Sequence, residues 1–369
     1  MDRRELLKTG AAAAAAASST GLLSNSAFAQ ASKPILPELN SKAHLNTYSR
    51  TLHWLRTPQE VAKAVQEIGT KSVDLTVRSG GGHVDPAKVK TELPAFVKGL
   101  RDNGVEVSML APNILDATDE FAEATLDTAA QLGIKYYWWG THNFDQTKPY
   151  WPQLDALKPR VEAVAKLNEK YGFKGMAHPR SNPGSISASF YDLLYVLKNF
   201  DPRYIGFQYD LQHLLQAYDA VYVAQLRLGG PYIGGFVWKD IALERADSPN
   251  PDDAVRAQAA AGAQNAAAGG RGGGGGGRGG AGGAPNPFPA KIRQRQVPIG
   301  TGMTNLGLIA MTLKEIGFNG PMEIEPEWPG IGGAENGVTT LTIPREQAIT
   351  ILKRERVNME AILTKAGLV

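Results

Sequence analysis

Residues 72–77 read Ser72-Val73-Asp74-Leu75-Thr76-Val77, and residues 105–110 read Val105-Glu106-Val107-Ser108-Met109-Leu110. Between them, residues 86–103 carry a helical pattern that ends against Gly104. Two short β-branched runs flanking a helix of more than ten residues predict a βαβ unit with parallel strands. The same alternation continues in both directions. Strands are expected at 51–54, 134–139, 173–177, 204–209, 233–238 and 321–324. Helices are expected at 57–68, 119–132, 154–171, 187–199, 216–228, 304–316 and 345–365. Eight strand–helix pairs predict a closed (β/α)8 barrel, α/β class, rather than an open doubly wound sheet. Gly104, Gly133, Gly172 and Gly317 stand where helix C-caps belong. Gly80-Gly81-Gly82 lacks the G-x-G-x-x-G spacing of a dinucleotide site, and no Walker-type G-K-[ST] occurs.

The chain has 369 residues, no Cys and a net charge of +3. Its first residues contain Arg3-Arg4-Glu5-Leu6-Leu7-Lys8, an Ala-rich apolar stretch and Ala27-Phe28-Ala29. A positive start, a short apolar run and an A-x-A site predict an export signal over 1–29, with a mature domain over 30–369. The paired arginines resemble the twin-arginine signal, which predicts export in the folded state to the periplasm or beyond. The apolar run is too short for a stable membrane anchor. Residues 247–298 break the strand–helix pattern, and six consecutive glycines run from Gly272 to Gly277. Such composition buries too little apolar surface to offset its ordering entropy, so a disordered insert after strand 7 is expected. Removing leader and insert leaves roughly 290 residues, one barrel of the usual ~250 or slightly more. Absence of Cys excludes disulfides, thiolate metal sites and thiol catalysis. Near-neutral charge argues against a nucleic-acid partner; a homo-oligomer is compatible with the sequence.

All six His fall at or near the C-terminal ends of expected strands: His44, His53, His83, His142, His178 and His213. The six Trp (54, 138, 139, 151, 238 and 328) avoid helix interiors. In such barrels the active site lies at that end, built from the βα-loops. Singly, each His reads more readily as structural; together on one face they point to a site. Glu323 and Glu325 share one strand face, and either beside Asp210 gives converging carboxylates that need a cation or a raised pKa. A hard divalent metal answers that need: Mn or Mg, or Zn or Co where nitrogen ligands dominate. The competing reading pairs Glu325 and Asp210 with Lys239 or Arg180.

Four segments carry a family resemblance. Residues 205–213 (IGFQYDLQH) have an Asp followed three residues on by His, 236–240 read FVWKD, and 297–325 contain a G-x-G loop, a helix and a strand ending in Glu. Together with Gly175-Met176-Ala177-His178-Pro179-Arg180, these resemble the sugar phosphate isomerase/epimerase family, the xylose-isomerase-like TIM barrels. The resemblance implies a divalent metal on His178, Asp210 and Glu325, with Val237 standing where the family has a strand-7 His. An alkyl side chain cannot ligate, so a three-ligand site, a replacement by His213, or no metal all remain open.

The resemblance further implies proton transfer through an enediolate, with Glu325, His178 and His213 as acid–base groups. Epimerase, isomerase and lyase or dehydratase outcomes share that intermediate. A small non-phosphorylated sugar, keto-sugar or glycoside is the expected partner, held by His53, Trp54, Trp139, His142, Arg180, Trp238, Lys239 and Trp328. A non-catalytic sugar-binding barrel, a three-metal endonuclease of the same fold and a two-carboxylate glycosidase are the alternatives.

Overall fold

The computed structural model describes residues 45–140, 142–181, 184–214, 219–253 and 291–369. The expected leader, His44 and most of the expected insert lie outside the described residues. In chain order the elements are β1 (Leu45–Tyr48), α1 (Pro58–Ile68), β2 (Ser72–Val77), α2 (Val89–Asp102), β3 (Glu106–Pro112), α3 (Ala122–Gln131) and β4 (Tyr136–Trp139). They continue with α4 (Tyr150–Tyr171), β5 (Lys174–Ala177), α5 (Phe190–Leu197), β6 (Ile205–Asp210), α6 (Leu211–Leu214), α7 (Asp219–Gly229) and β7 (Ile233–Trp238). The chain ends with β8 (Asp240–Arg245), β9 (Ile292–Val297), α8 (Leu306–Glu315), β10 (Met322–Ile324) and α9 (Arg345–Ala366).

Strands β1 to β7 and β10 close into one parallel barrel, with β10 bridging β7 and β1. Local chemistry sets the elements. Thr57 and Glu60 form a capping box at the start of α1, with Pro58 in the first turn and Gly69 closing the end. The four glycines expected to end helices all take positive φ, from 69° to 78°, the left-handed cap that a Cβ disfavours. Alternation along each strand splits the side chains into two sets. One set, including Leu75, Leu110, Tyr137, Trp139, Phe207, Phe236 and Trp238, packs against the helices as one apolar core. The other points into the barrel, where Met109 and Gln208 meet.

Two expectations change. The first strand is Leu45–Tyr48, not 51–54, and Ser49–Leu52 is a 3-10 turn after it. Its inward residues are the buried Asn46, which accepts a hydrogen bond from Ser72, and Tyr48, which accepts one from Arg78, so the inward face carries little aliphatic signal. The stretch expected to be structureless from 247 to 298 also ends early. Residues 292–297 form β9, antiparallel to β8. Glu244 on β8 pairs with Arg293 and Arg295 of β9, each at 2.9 Å, so charge rather than apolar burial zips this ribbon. No described helix is long and apolar enough to cross a membrane.

Candidate active site at the barrel mouth

The C-terminal ends of β5, β6, β7 and β10 deliver His178, Asp210, Lys239 and Glu325 to one buried cluster. Asp210 is its hub. Oδ1 accepts hydrogen bonds from the backbone N–H groups of Gln212 (2.7 Å) and His213 (3.2 Å), which fixes the carboxylate against the turn that follows β6. Oδ2 faces Lys239 Nζ at 2.8 Å, His178 Nε2 at 3.7 Å and His213 Nε2 at 4.0 Å. Burial pushes the Asp210 carboxyl up, but Lys239, His213 and His178 outweigh it and hold the group well below the usual carboxylate range.

Lys239 is 2% exposed and reaches three carboxylates: Asp210, Glu325 at 2.8 Å and Glu327 at 3.0 Å. Burial alone would lower its pKa, yet the three acids raise it well above the ordinary value, so the ammonium stays charged. Glu325 responds oppositely: burial raises its pKa against the pull of Lys239. The β8–β9 ribbon closes this side. Gln296 donates from Nε2 to Glu327 (3.0 Å) and accepts from the Glu327 N–H (2.9 Å), while Gln294 donates to the Gln212 carbonyl (2.7 Å).

The histidines are oriented from behind. His178 Nδ1 lies 2.7 Å from Gln208 Oε1, and Gln208 Nε2 donates to Glu323 Oε1 at 3.0 Å. With the amide so placed, Nδ1 of His178 carries the proton and Nε2 presents its lone pair toward Asp210. His213 Nδ1 is likewise 3.0 Å from Ser181 Oγ. One ring nitrogen from each His and one Asp210 oxygen lie within 4.8 Å of one another, the described cluster with metal-ligand character.

Deeper in the barrel, Asp74 and Glu323 form a carboxyl pair. Burial raises Asp74 to about 7, and burial plus the Asp74 and Glu325 charges raise Glu323 further. The two share a proton, which spares the barrel an isolated buried charge. Since the folded pKa exceeds the unfolded ~3.9, this pair's stabilising contribution is present at low pH and lost as pH rises toward 7. Asp74→Asn is therefore expected to gain stability relative to wild type between pH 5 and pH 8, by roughly 2–3 kcal/mol. Urea denaturation at the two pH values checks it; a pH-independent difference would contradict the shared proton.

Residues 62–348 match the family model described as xylose isomerase-like TIM barrel. The chain belongs to the xylose isomerase-like TIM barrel family. No curated protein matches its sequence. Among solved structures, an L-ribulose 3-epimerase superposes with TM-score 0.56 at 12% identity, covering 88% of this chain and 96% of that one. An IOLI protein with a binding zinc atom gives 0.55 at 14%, covering 87% and 98%. A 3-keto-D-glucoside 4-epimerase from E. coli gives 0.54 at 11%, covering 86% and 100%. At these identities the likeness shows the fold.

Within this xylose isomerase-like barrel, the structure gathers His178, Asp210, His213, Lys239 and Glu325 but sorts them differently from the expected ligand set. Glu325 sits on Lys239, whereas His213 joins His178 and Asp210. Val237 is fully buried, level with Asp210 on one side and Glu323 on the other. Several residues expected to touch substrate lie elsewhere. Trp139 and Trp238 are buried in the core beneath the helices; the neighbouring Trp138 faces the mouth instead, its ring 4.9 Å from that of His178. His53 is buried and bonded to Thr76 Oγ1 (2.9 Å), beside His83, which contacts Thr76 and the Leu55 carbonyl. Burial lowers His53 to about 3 and His83 to about 4, so both are neutral structural groups. His142 sits 3.9 Å from Asp116 and against Trp139. Trp54 and Trp328 are half-buried against the apolar core, with Trp54 donating to Thr51 O. Arg180 borders Trp138. The Asp of the F-V-W-K-D motif does not join the acids: Asp240 accepts from the N–H groups of Gly300 (3.0 Å), Gly302 (2.8 Å) and Thr304 (3.2 Å), which pins the G-x-G loop.

Gln208, Asp74, Glu327, Arg78 and Trp138 were not singled out for these roles from sequence, whereas Glu323 was expected as a carboxylate needing a cation or a raised pKa. Gln208 was within reach, since it lies two residues before Asp210 on the same strand face.

Proposed function

We propose that this barrel is a sugar isomerase/epimerase-type enzyme that moves a proton on the carbon beside a carbonyl of a non-phosphorylated sugar, keto-sugar or glycoside. The observation that carries the reading is the convergence of His178, His213 and Lys239 on one oxygen of Asp210 at the barrel mouth. The donor set suits a divalent cation, Mn, Mg, Co or Zn. Separations of 3.7 and 4.0 Å are only slightly wider than the ~3.4 Å between two ligands at ~2.1 Å on a tetrahedral metal. Backing of His178 Nδ1 by Gln208 is the outer-shell support that metal-bound imidazoles usually have. His178, Asp210 and His213 would hold the ion and leave a position for substrate. The zinc of the IOLI protein, in the same fold, supports this assignment.

When bound, such an ion polarises adjacent carbonyl and hydroxyl oxygens and acidifies the α-C–H. The chain supplies the rest. Glu325, whose pKa burial raises against the pull of Lys239, is the carboxylate suited to take the proton. Lys239 keeps its charge and offsets developing negative charge on oxygen. Return of the proton falls to Glu325, protonated in the first step, or to water, because His178 and His213 turn their Nε2 atoms to the ion. Return to the opposite face yields an epimer, return to the adjacent carbon an isomer, and loss of a β-substituent a lyase product. The twin-arginine-like leader supports a reading in which this chemistry runs outside the cytoplasm, where free sugars rather than sugar phosphates are at hand.

Incubation with keto-sugars in D2O tests the reading. Solvent deuterium is expected at the carbon beside the carbonyl, falling at least ~100-fold when a chelator strips the metal. Exchange in no member of a panel of keto-hexoses, 3-keto-glycosides and sugar acids would overturn it.

A further inference from the structure

We infer that Arg78 and Arg180, gathered around the Trp138 ring, form a carboxylate-binding subsite, so that the ligand of this mouth is a sugar acid, a proposal that rests on reading the mouth as a sugar-transforming site. The two cations next to the acid cluster already have acidic partners: Lys239 has three, and Arg50 reaches Glu327 at 3.3 Å. Among the described residues no carboxylate pairs with Arg78 or Arg180.

Arg78 follows the last residue of β2 and is aimed by neutral groups only. Its Nε donates to the Ala111 carbonyl (3.0 Å) and its Nη2 to Tyr48 Oη (2.9 Å). Its guanidinium carbon lies 4.6 Å from the Trp138 ring centre. Arg180 lies two residues beyond His178 and is exposed. Among the described residues only its backbone N–H is tied, to Ser187 Oγ at 3.0 Å, and its guanidinium carbon lies 5.7 Å from the same ring. Two guanidinium carbons on one indole are no more than about 10 Å apart, a span a carboxylated sugar can bridge. His178 rests on that indole too, at 4.9 Å between ring centres, so a ligand held there adjoins the proposed chemistry.

Two unneutralised like charges on one ring repel each other, and a half-buried guanidinium without an anion forgoes the pairing that its planar fork provides. An incoming carboxylate supplies it, while the indole face takes the sugar C–H surface. A tetrahedral phosphate is less well served. The N–H groups of Gly82 and His83 behind Arg78 are already taken, by Arg78 O (3.2 Å) and Thr76 Oγ1 (3.2 Å), and form no amide cradle.

Calorimetric titration at low salt tests this, with D-glucuronate, D-galacturonate and D-gluconate against D-glucose, D-galactose and D-glucose 6-phosphate. At least one sugar acid is expected to bind wild type roughly tenfold or more tighter than its neutral counterpart. Arg180→Ala and Arg78→Gln should erase that preference, with a much smaller change for neutral sugars. Arg180→Ala alters an exposed side chain and keeps the test valid if Arg78→Gln misfolds. Equal affinity for acids and neutral sugars, equal losses for both in the variants, or tightest binding of the 6-phosphate would each overturn the subsite. Arg-dependent binding of sugar acids without any isotope exchange would support the subsite and sink the isomerase-type reading instead.

Discussion

Asp210→Asn is expected to lower proton-exchange activity by about three orders of magnitude and metal affinity by at least ~100-fold, with the barrel still folded. Asn is nearly isosteric and keeps an oxygen for the Gln212 and His213 N–H groups, so the turn after β6 survives. What it lacks is the negative charge at Oδ2, where Lys239 and both imidazoles converge. Without it, Lys239 loses one of its three acids and the two Nε2 atoms lose the anionic ligand between them. Isotope exchange and metal content, measured on the same preparation, check both effects. Wild-type exchange in a metal-free Asp210→Asn protein would remove the metal-assisted mechanism.

Lys239→Met is the second large effect, and it acts first on stability. The substitution keeps the side-chain volume but leaves Asp210, Glu325 and Glu327 without their shared counter-charge. Breaking a buried pair by removing one partner costs about 3–5 kcal/mol, because the remaining charge stays desolvated. Glu327 retains Arg50 at 3.3 Å, so the main burden falls on Asp210 and Glu325. Their folded pKa values should then rise above the unfolded ones, so the loss is smallest in acid and grows as pH increases through those raised values. Added divalent metal should restore part of the stability by placing a second cation on Asp210. Denaturation curves at several pH values, with and without metal, separate these contributions. A pH-independent loss would show that Lys239 contributes packing rather than charge.

Much of the architecture was legible from residue order. The strand–helix period placed seven of the eight barrel strands in order, and Ser72–Val77 and Ile233–Trp238 match residue for residue. The failures have identifiable causes. β1 was missed because its inward face carries Asn46 rather than an alkyl group. β9 was missed because Arg293 and Arg295 answer Glu244 across the ribbon, a pairing invisible from one strand alone. Tyr136-Tyr137-Trp138-Trp139 has no apolar–polar alternation, so the sequence does not say which Trp faces inward. A one-residue change of parity moves every side chain to the opposite face, which put Trp138 at the mouth and Trp139 in the core.

The sequence by itself determined the barrel, the end at which its chemistry gathers, and the absence of any thiol ligand. It also brought forward Asp210, His178, His213, Lys239 and Glu325. Those inferences rest on local periodicity and on what each side chain can do. Only the tertiary structure decided how these groups pair: Glu325 with Lys239, His213 with His178 and Asp210, and Arg78 and Arg180 with no acid among the described residues. The reason is physical. Which charges neutralise each other depends on the stagger of strands that are distant in sequence, and at separations near 3 Å a single register step changes the partner.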